Sequence, residues 1–446
     1  MLTQPVEKIV TMMAVPTILA FMINSIYSIA DTFFVSSLGT NAAAAVSVNS
    51  SLDQFITMGG SLLAVGANSY IARLLGAKQQ DKADRTFSTA FFLALAFGLV
   101  LMAGGLFFMT PMVRLLGATP TCEAYAIDYA TYILLAAPFM TTSFVMNQCL
   151  RAEGKATLAM VGMSVGGVLN CILDPIFIFG LGLEVAGASM ATAISKLVGF
   201  LVLLYPYVMR KSEIHLALRN FRPSRRILEE IIKIGSSSML RSLLAVVSSI
   251  LLNNIAGSMS DSVLAGIGIS TRIMMFPFNI ILGFSSGFQP VAGYNWGAAR
   301  YDRVRTSYRF SARVAIIGGI VMGLALCVCA DPLIGLFSNV DAQTKAIGAL
   351  CIRTQCLMLP VHGWVAMVNM FCAGLGEARS ACLLSTSRQG SCFIPILYPV
   401  SHFFGANGLA SVQALADALS LLLAVPVLRN IKRKISEMER RTVPSE

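Results

Sequence analysis

The sequence predicts an all-α integral membrane protein: twelve transmembrane helices in two six-helix bundles, related by an internal repeat of the same orientation. Three observations predict this fold. Hydrophobic residues make up 56% of the 446 residues and charged residues only 12%, whereas soluble domains carry about 25% charged residues. The apolar residues occur in blocks of about 20 or more, the length that spans a bilayer. The second half of the chain also repeats the glycine and proline positions of the first.

The apolar blocks define the spans, and the mean hydropathy of the whole chain is +0.73. The twelve blocks lie near 9–36, 46–72, 86–110, 124–148, 157–179, 186–209, 232–256, 263–292, 306–330, 346–372, 380–401 and 406–428. The boundary between the last two blocks is the weakest. We keep them separate because a repeat requires equal halves.

The repeat has a nearly constant offset, which relates Gly66 to Gly287 (66 + 221). The same offset relates Gly76 to Gly297, Pro111 to Pro332 and Gly187 to Gly408, and an offset larger by one relates Pro138 to Pro360 and Gly154 to Gly376. Other residues replace the backbone roles of glycine and proline poorly, so this common order indicates a duplicated unit. Duplicated membrane bundles are typical of carriers, whose substrate sites form at the repeat interface.

Lysine and arginine predict the orientation of the bundles. Connectors on one side of the membrane hold most of the basic residues, including Arg151, and those on the other side hold only Arg114 and Lys345. Since positive charge stays cytoplasmic, we expect both termini in the cytoplasm of a multi-pass cytoplasmic-membrane protein. Six helices return the chain to its starting side, so the two repeats should have the same orientation.

The expected division of the chain follows from these spans. Residues 1–210 form the first bundle, 211–231 a cytoplasmic basic and amphipathic linker, 232–430 the second bundle and 431–446 a polar cytoplasmic tail. Within the linker, Ser224 should cap a short amphipathic helix lying on the membrane surface.

Charge and cysteine usage exclude several other classes of protein. The net charge of +11 resides in short connectors that meet anionic lipid headgroups, so we expect membrane lipids and not nucleic acid as partners. The cysteines form no CxxC pair and the three histidines are scattered, so we expect no cofactor and no disulfide. The sequence contains no nucleophile–base pair that would suggest an enzyme. We also expect the protein to be a monomer.

Polar residues inside spans are functional candidates, because a buried charge in a membrane needs a partner or a cavity. Asp31 lies late in the first span, with Tyr27 four residues and Asn24 seven residues before it on one helical stripe. Pro16 removes a backbone donor from the same span and favours a hinge there. The alternative is that Asp31 is close enough to the outer surface to be hydrated.

A second candidate site lies in the fifth span. Asn170 and Asp174 are four residues apart, and Pro175 follows and loosens the backbone as a second hinge. A carboxylate beside a carboxamide and freed carbonyl oxygens suits a proton or a sodium ion, the only metal that we expect. The alternative is an ordinary turn at the end of a helix.

A third set consists of Lys196, Arg388 and Asp417, in spans six, eleven and twelve. For these we favour a structural ion pair over a role in transport. A substrate cavity partly lined by methionine and phenylalanine would suit varied apolar cations, because thioethers adapt in shape and ring faces attract cations. The candidate cavity residues are Asn24, Tyr27, Met274, Met275, Phe276 and Gln289.

Read in order, these segments resemble the multidrug and toxic compound extrusion (MATE) family over nearly the whole chain. The resemblance is closest to its bacterial DinF-like branch, which includes MepA-type pumps. It rests on ADTFFVSSLG at 30–39, RAEGKA at 151–156, LDPIFIFGLGLEVAGASMATAIS at 173–195, GFQPVAGYNWGA at 287–298 and SRQGSCFIPILY at 387–398.

The resemblance implies a secondary active antiporter that exports organic cations in exchange for protons or sodium ions by alternating access. It also implies that a sixth-helix threonine, Thr192, handles the coupling ion together with Asp31, Asn170 and Asp174. The family's NorM-like branch has further acids in spans seven and ten. Here those spans carry no carboxylate at Asn253, Asn254 and Asn369, which disfavours NorM-type coupling. The alternative function is a lipid-linked precursor flippase of a related fold.

Overall fold

The computed structural model describes residues 2–36, 38–335 and 341–442, and the regular elements in these ranges are all helical. The first half contains α1 (Val6–Ser36), α2 (Thr40–Gly76), α3 (Gln80–Phe107), α4 (Met109–Leu115), α5 (Glu123–Ala152), α6 (Ala156–Pro175) and α7 (Glu184–Val208). A π-helical segment, Ile176–Gly180, follows α6, and a 3-10 turn, Leu218–Asn220, lies in the linker.

The second half repeats this order of helices. It contains α8 (Arg225–Met259), α9 (Asp261–Gly297), α10 (Tyr301–Val328), α11 (Ala330–Gly335), α12 (Ala342–Leu375), α13 (Ala378–Thr386) and α14 (Phe393–Thr442). A second π-helical segment, Ser387–Ser391, joins α13 to α14. The short helices α4 and α11 begin at Met109 and Ala330, two positions that the sequence repeat relates to each other (109 + 221).

The predicted spans are confirmed as helices. Eleven helical stretches in the described residues are long and apolar enough to cross a membrane. The last stretch, Ala378–Arg440, contains both the eleventh and the twelfth predicted spans. Gly405 interrupts its helical geometry with a φ of 59° and a ψ of −143°, so the weakest predicted boundary coincides with a kink between two spans.

The backbone also repeats at its unusual conformations. Left-handed φ values recur at Lys78 (58°) and Ala299 (54°), at Gly154 (89°) and Gly376 (84°), and at Glu184 (48°) and Gly405 (59°). The two members of each pair are related by the same offset as the sequence repeat, or by that offset plus one. A non-glycine residue with positive φ is uncommon, so their recurrence supports one ancestral unit.

A close helix contact recurs in the same way. A Cβ atom on Gly98 of α3 would lie 2.5 Å from the Pro138 Cα of α5, and one on Gly319 of α10 would lie 2.7 Å from the Pro360 Cα of α12. Both distances are too short for a side chain. Each glycine therefore allows a helix to pack directly on the backbone of its neighbour.

Contacts divide the chain into Val15–Gly235 as one unit and Met1–Ala14 with Ser236–Glu446 as the other. Below, we call them the first and the second unit. Their boundaries differ from the sequence division, because the linker groups with the first unit. The Glu153 carboxylate, after α5, accepts hydrogen bonds from the Ser212 Oγ at 2.5 Å and the Glu213 backbone N–H at 2.8 Å.

The expectation of a separate surface helix in the linker was wrong. The Ser224 Oγ does accept a hydrogen bond from the Ile227 N–H at 3.3 Å, as predicted for a cap. The helix that it caps is α8, which continues to Met259. Ile231 is fully buried, and a Cβ atom on Gly66 of α2 would lie only 2.0 Å from its carbonyl oxygen, so the start of α8 packs closely on α2.

Candidate functional site

Asn170 and Asp174 form the centre of the candidate site in the first unit. Their spacing stacks them on one face of α6, and the Asn170 Nδ2 donates to the Asp174 Oδ1 at 3.1 Å. The same amide nitrogen donates to the Thr192 Oγ1 of α7 at 3.2 Å. Pro175 ends α6, and the chain continues directly into the π-helical segment. The three residues proposed for the fifth and sixth spans therefore lie together.

Three oxygens at this site accept no hydrogen bond, although each is buried. They are the Asp31 Oδ1, the Asn170 Oδ1 and the Asp174 Oδ2. The Asp174 side chain is fully buried. A buried polar atom without a partner is costly, so these oxygens are suited to a proton or a small cation.

Asp31 joins this site from the carboxyl-terminal part of α1. Its carboxylate interacts electrostatically with Asp174 and with the Lys196 ammonium of α7. The Lys196 Nζ donates to the Tyr27 Oη at 3.0 Å and lies 5.1 Å from the centroid of the same ring. Asp31 therefore has charged neighbours in this structure, and its Oδ1 is buried. Pro16 lies within α1, which is one continuous helix.

A cavity of about 290 Å³ lies beside these residues within the first unit. Asn24 and Tyr27, two of the proposed cavity residues, line it from α1. Asn170, Thr192 and Lys196 also line it, so the hydrogen-bonded group reaches a space large enough for a small molecule. Glycines of α6, such as Gly162 and Gly166, form part of its wall.

Sequence reasoning missed two charged residues of this site. Asp53 of α2 interacts electrostatically with Asp31 and Lys196, and it is the one carboxylate in the second predicted span, a signal that was available. Arg151 was assigned to a basic connector. It is only 2% exposed, lines the cavity and places its Cζ 5.7 Å from the Phe21 ring centroid.

Four of the proposed cavity residues do not line this cavity. Met275 and Phe276 are exposed on α9, and Met274 is fully buried in a core cluster with Ile334 and Leu359. Gln289 is also buried, at 2% exposure. All four belong to the second unit. A run of methionine and phenylalanine on one helix alternates between the core and the outer surface, and composition does not reveal which side faces a cavity.

The third set of charged residues separates into two contacts. The Arg388 Nε donates to the Asp417 Oδ1 at 2.7 Å in the second unit, so the structural ion pair that we favoured is present. The Arg388 Cζ also lies 4.1 Å from the Phe278 ring centroid. Lys196 takes part in the first-unit site and not in this pair.

The fold and the site together define a class of protein: a multi-pass membrane carrier built from two repeated helical units. The sequence profile of the MatE family matches the chain twice, at residues 16–176 and 238–399. The starting positions of the two matches agree with the repeat (16 + 222). The chain belongs to the MatE family, which is a family of transporters and not of enzymes.

Named relatives and solved structures agree with this assignment. The chain is 31% identical to the multidrug export protein MepA of Staphylococcus saprophyticus, over 94% of this chain and 93% of that protein. It is 28% identical to the protein of the same name in Staphylococcus aureus, over 97% and 95% of the two chains. An outward-facing structure of a multidrug resistance MATE family transporter superposes with a TM-score of 0.91 at 27% identity, covering 98% of this chain and 97% of the other.

Proposed function

We propose that the protein is a secondary active antiporter that exports organic cations in exchange for protons or sodium ions. The relatives named multidrug export proteins support export of drug-like compounds. The Asp31, Asp53 and Asp174 carboxylates of the first unit support a cationic substrate, because negative charge attracts a cation. Alternating access would expose this cavity to each side of the membrane in turn.

The coupling ion binds at Asp31, Asn170, Asp174 and Thr192 in this proposal. The single observation that supports it best is the set of three buried oxygens without hydrogen bonds, one of which belongs to Asn170 in the cavity wall. A bound sodium ion would take oxygen ligands from these side chains, and a bound proton would neutralise one of the two carboxylates. It would also cancel negative charge that attracts the organic cation, so the two ligands would oppose each other through reciprocal coupling.

The energetics allow this exchange with one ion. Moving a monovalent organic cation out against about 100 mV costs about 2.3 kcal/mol, and one incoming monovalent ion releases the same amount. A pH difference of one unit then supplies about 1.4 kcal/mol, which corresponds to a tenfold substrate gradient. Greater accumulation would need a second ion, and the Asp31 and Asp174 carboxylates could accept two.

The protein lies in the cytoplasmic membrane in this proposal, with both termini in the cytoplasm. It is a monomer surrounded by lipid. The connectors between α2 and α3, α5 and α6, and α7 and α8 carry the lysines and arginines that favour the cytoplasmic side. A Ser224→Cys variant would test this orientation. A thiol reagent that does not cross membranes should label this cysteine in opened cells and not in intact cells.

Transport by purified protein in liposomes tests the function. Efflux of a cationic dye should follow an imposed pH gradient or an imposed sodium gradient, and should stop when both gradients are removed. Dye movement that is independent of both gradients would reject antiport. Transport of neutral and cationic dyes at the same rate would reject the proposed preference for cations.

One observation favours the alternative, a lipid-linked precursor flippase. The charged side chains that line the first-unit cavity are Arg151 and Lys196, and guanidinium and ammonium groups bind phosphates. The Asp31 and Asp53 carboxylates offset the Lys196 charge, which is why we favour a cationic substrate. A fluorescent polyprenyl phosphate that crosses liposome membranes only with the protein present would support the flippase.

A further inference from the structure

The second unit contains a separate cavity of about 240 Å³. Side chains of α8, α9, α12 and α13 and of the second π-helical segment line it. Among the described residues, the charged side chains that line it are Arg241 of α8 and Arg388 of the π-helical segment, with no aspartate or glutamate. The lining of this cavity is therefore cationic, although it is built into spanning helices.

The two arginines differ in their partners. The Arg388 guanidinium pairs with the Asp417 carboxylate, which is only 3% exposed. Arg241 donates to the neutral Ser238 Oγ at 3.5 Å, and no carboxylate among the described residues forms an ion pair with it. Two guanidinium groups and one carboxylate leave a net positive charge at the cavity.

An arginine without a carboxylate partner in a helix of this kind requires an explanation. Arg241 lies near the middle of α8, a helix long and apolar enough to span a membrane. Charged side chains in spanning helices are costly and almost always face a cavity, a partner or a transport pathway. Arg388 meets this requirement with Asp417, and a negatively charged ligand would meet it for Arg241.

The remaining lining residues indicate the shape of such a ligand. Phe278, Val365 and Met370 offer apolar surface, and the Asn369 and Gln389 side chains add carboxamides to the wall. A guanidinium binds the two oxygens of an oxyanion through a planar pair of N–H groups. The cavity therefore combines an anchor for one oxyanion with a surface for an apolar body.

We propose that the second-unit cavity binds an amphiphilic monoanion, with Arg241 as the counter-ion of its oxyanion group. The ligand chemistry is one oxyanion on an apolar body, which either a free organic acid or an anionic phospholipid could supply. This site shares no residue with the proposed coupling site, so the proposal holds independently of the export function.

Binding of dansylglycine to the full-length protein in phosphatidylcholine nanodiscs tests the proposal. Dansylamide, which has the same fluorophore without the carboxylate, is the matched ligand control. We expect dansylglycine to bind and dansylamide not to bind. Arg241→Gln should weaken dansylglycine binding by about tenfold to a hundredfold, because a hydrogen-bonded charge is lost. Arg272→Gln, at an exposed arginine of α9, should leave the affinity unchanged.

A second variant tests the same cavity in case Arg241→Gln does not fold. Ala245 lines the cavity from α8, and Ala245→Phe should abolish dansylglycine binding by filling the space while Arg241 is kept. Equal binding of both dansyl compounds, or unchanged binding by Arg241→Gln and Ala245→Phe, would overturn the proposal. Competition by phosphatidylglycerol in the nanodiscs would identify a lipid as the occupant, and unchanged binding in its presence would identify a free organic acid.

Discussion

Replacing Asp174 with asparagine tests the proposed coupling site most directly. The Asp174 side chain is fully buried, and its Oδ1 accepts from the Asn170 Nδ2 at 3.1 Å. An asparagine keeps the size of the side chain and an oxygen for that hydrogen bond, but it loses the negative charge and cannot titrate. We therefore expect the protein to fold and the response to the coupling ion to change.

The size of the change follows from the chemistry of a charged ligand group. An interaction with a charged partner is worth about 1.5–3 kcal/mol, so sodium affinity should fall by roughly tenfold to a hundredfold. If protons are the coupling ions, the variant should lose the part of the pH dependence that Asp174 provides. Dye efflux from liposomes, measured over a series of sodium concentrations and over a series of pH values, separates these outcomes.

The matched control is Asp128→Asn, at an exposed aspartate on α5 in the same unit, which should behave as the wild type. If Asp174→Asn is folded and shows the sodium and pH dependence of the wild type, the ion does not bind at Asp174. A change of equal size in both variants would instead indicate a general effect of charge on the first unit.

Three further predictions concern other parts of the fold. Asp31→Asn should abolish dye export at normal membrane levels, and retained dye resistance in expressing cells would remove Asp31 from the mechanism. Gly319→Ala should destabilise the protein by about 1–3 kcal/mol, because the added methyl group overpacks against Pro360. Gly318 has open space around it, so Gly318→Ala should not destabilise the protein. Thermal unfolding in detergent compares the two variants. Burial raises the pKa of Glu153, although its hydrogen bonds to the linker and the charge of Lys155 lower the pKa in part. Stability should therefore fall as pH rises through that raised pKa, and Glu153→Gln should remove this dependence in the same assay.

The sequence predicted the helices well because a membrane imposes a strong pattern. A spanning helix needs about 20 predominantly apolar residues, so hydropathy located the long helices of the described residues, and the glycine and proline repeat indicated two halves. The ends were less predictable. The Arg225–Met259 helix begins with charged residues, and only the structure shows that they belong to the same helix as the apolar residues that follow.

The candidate site was predictable in part for a related reason. Asp31, Asn170 and Asp174 stand out because polarity is rare in apolar spans. Arg151 did not stand out, because it lies at the end of its span, where a basic residue is expected in a connector. Only the structure shows that Arg151 is buried. Sequence spacing also shows which residues share one face of a helix. It does not show whether that face contacts the core, a cavity or the lipid. Met274 and Met275 show this, because these neighbours on α9 lie in a buried core cluster and on the exposed surface, respectively.

The two units keep one backbone and differ in chemistry, which explains how one duplicated fold could separate two tasks. With either repeat offset, Asp174 corresponds to Pro395 or Ile396, and Asp31 corresponds to Leu252 (31 + 221). The second unit therefore has no copy of the proposed coupling carboxylates. It has Arg388 and Arg241 at a cavity instead. Ion coupling would then depend on the first unit alone, and substitutions at Arg241 should alter anion binding without changing the sodium or pH dependence of dye export.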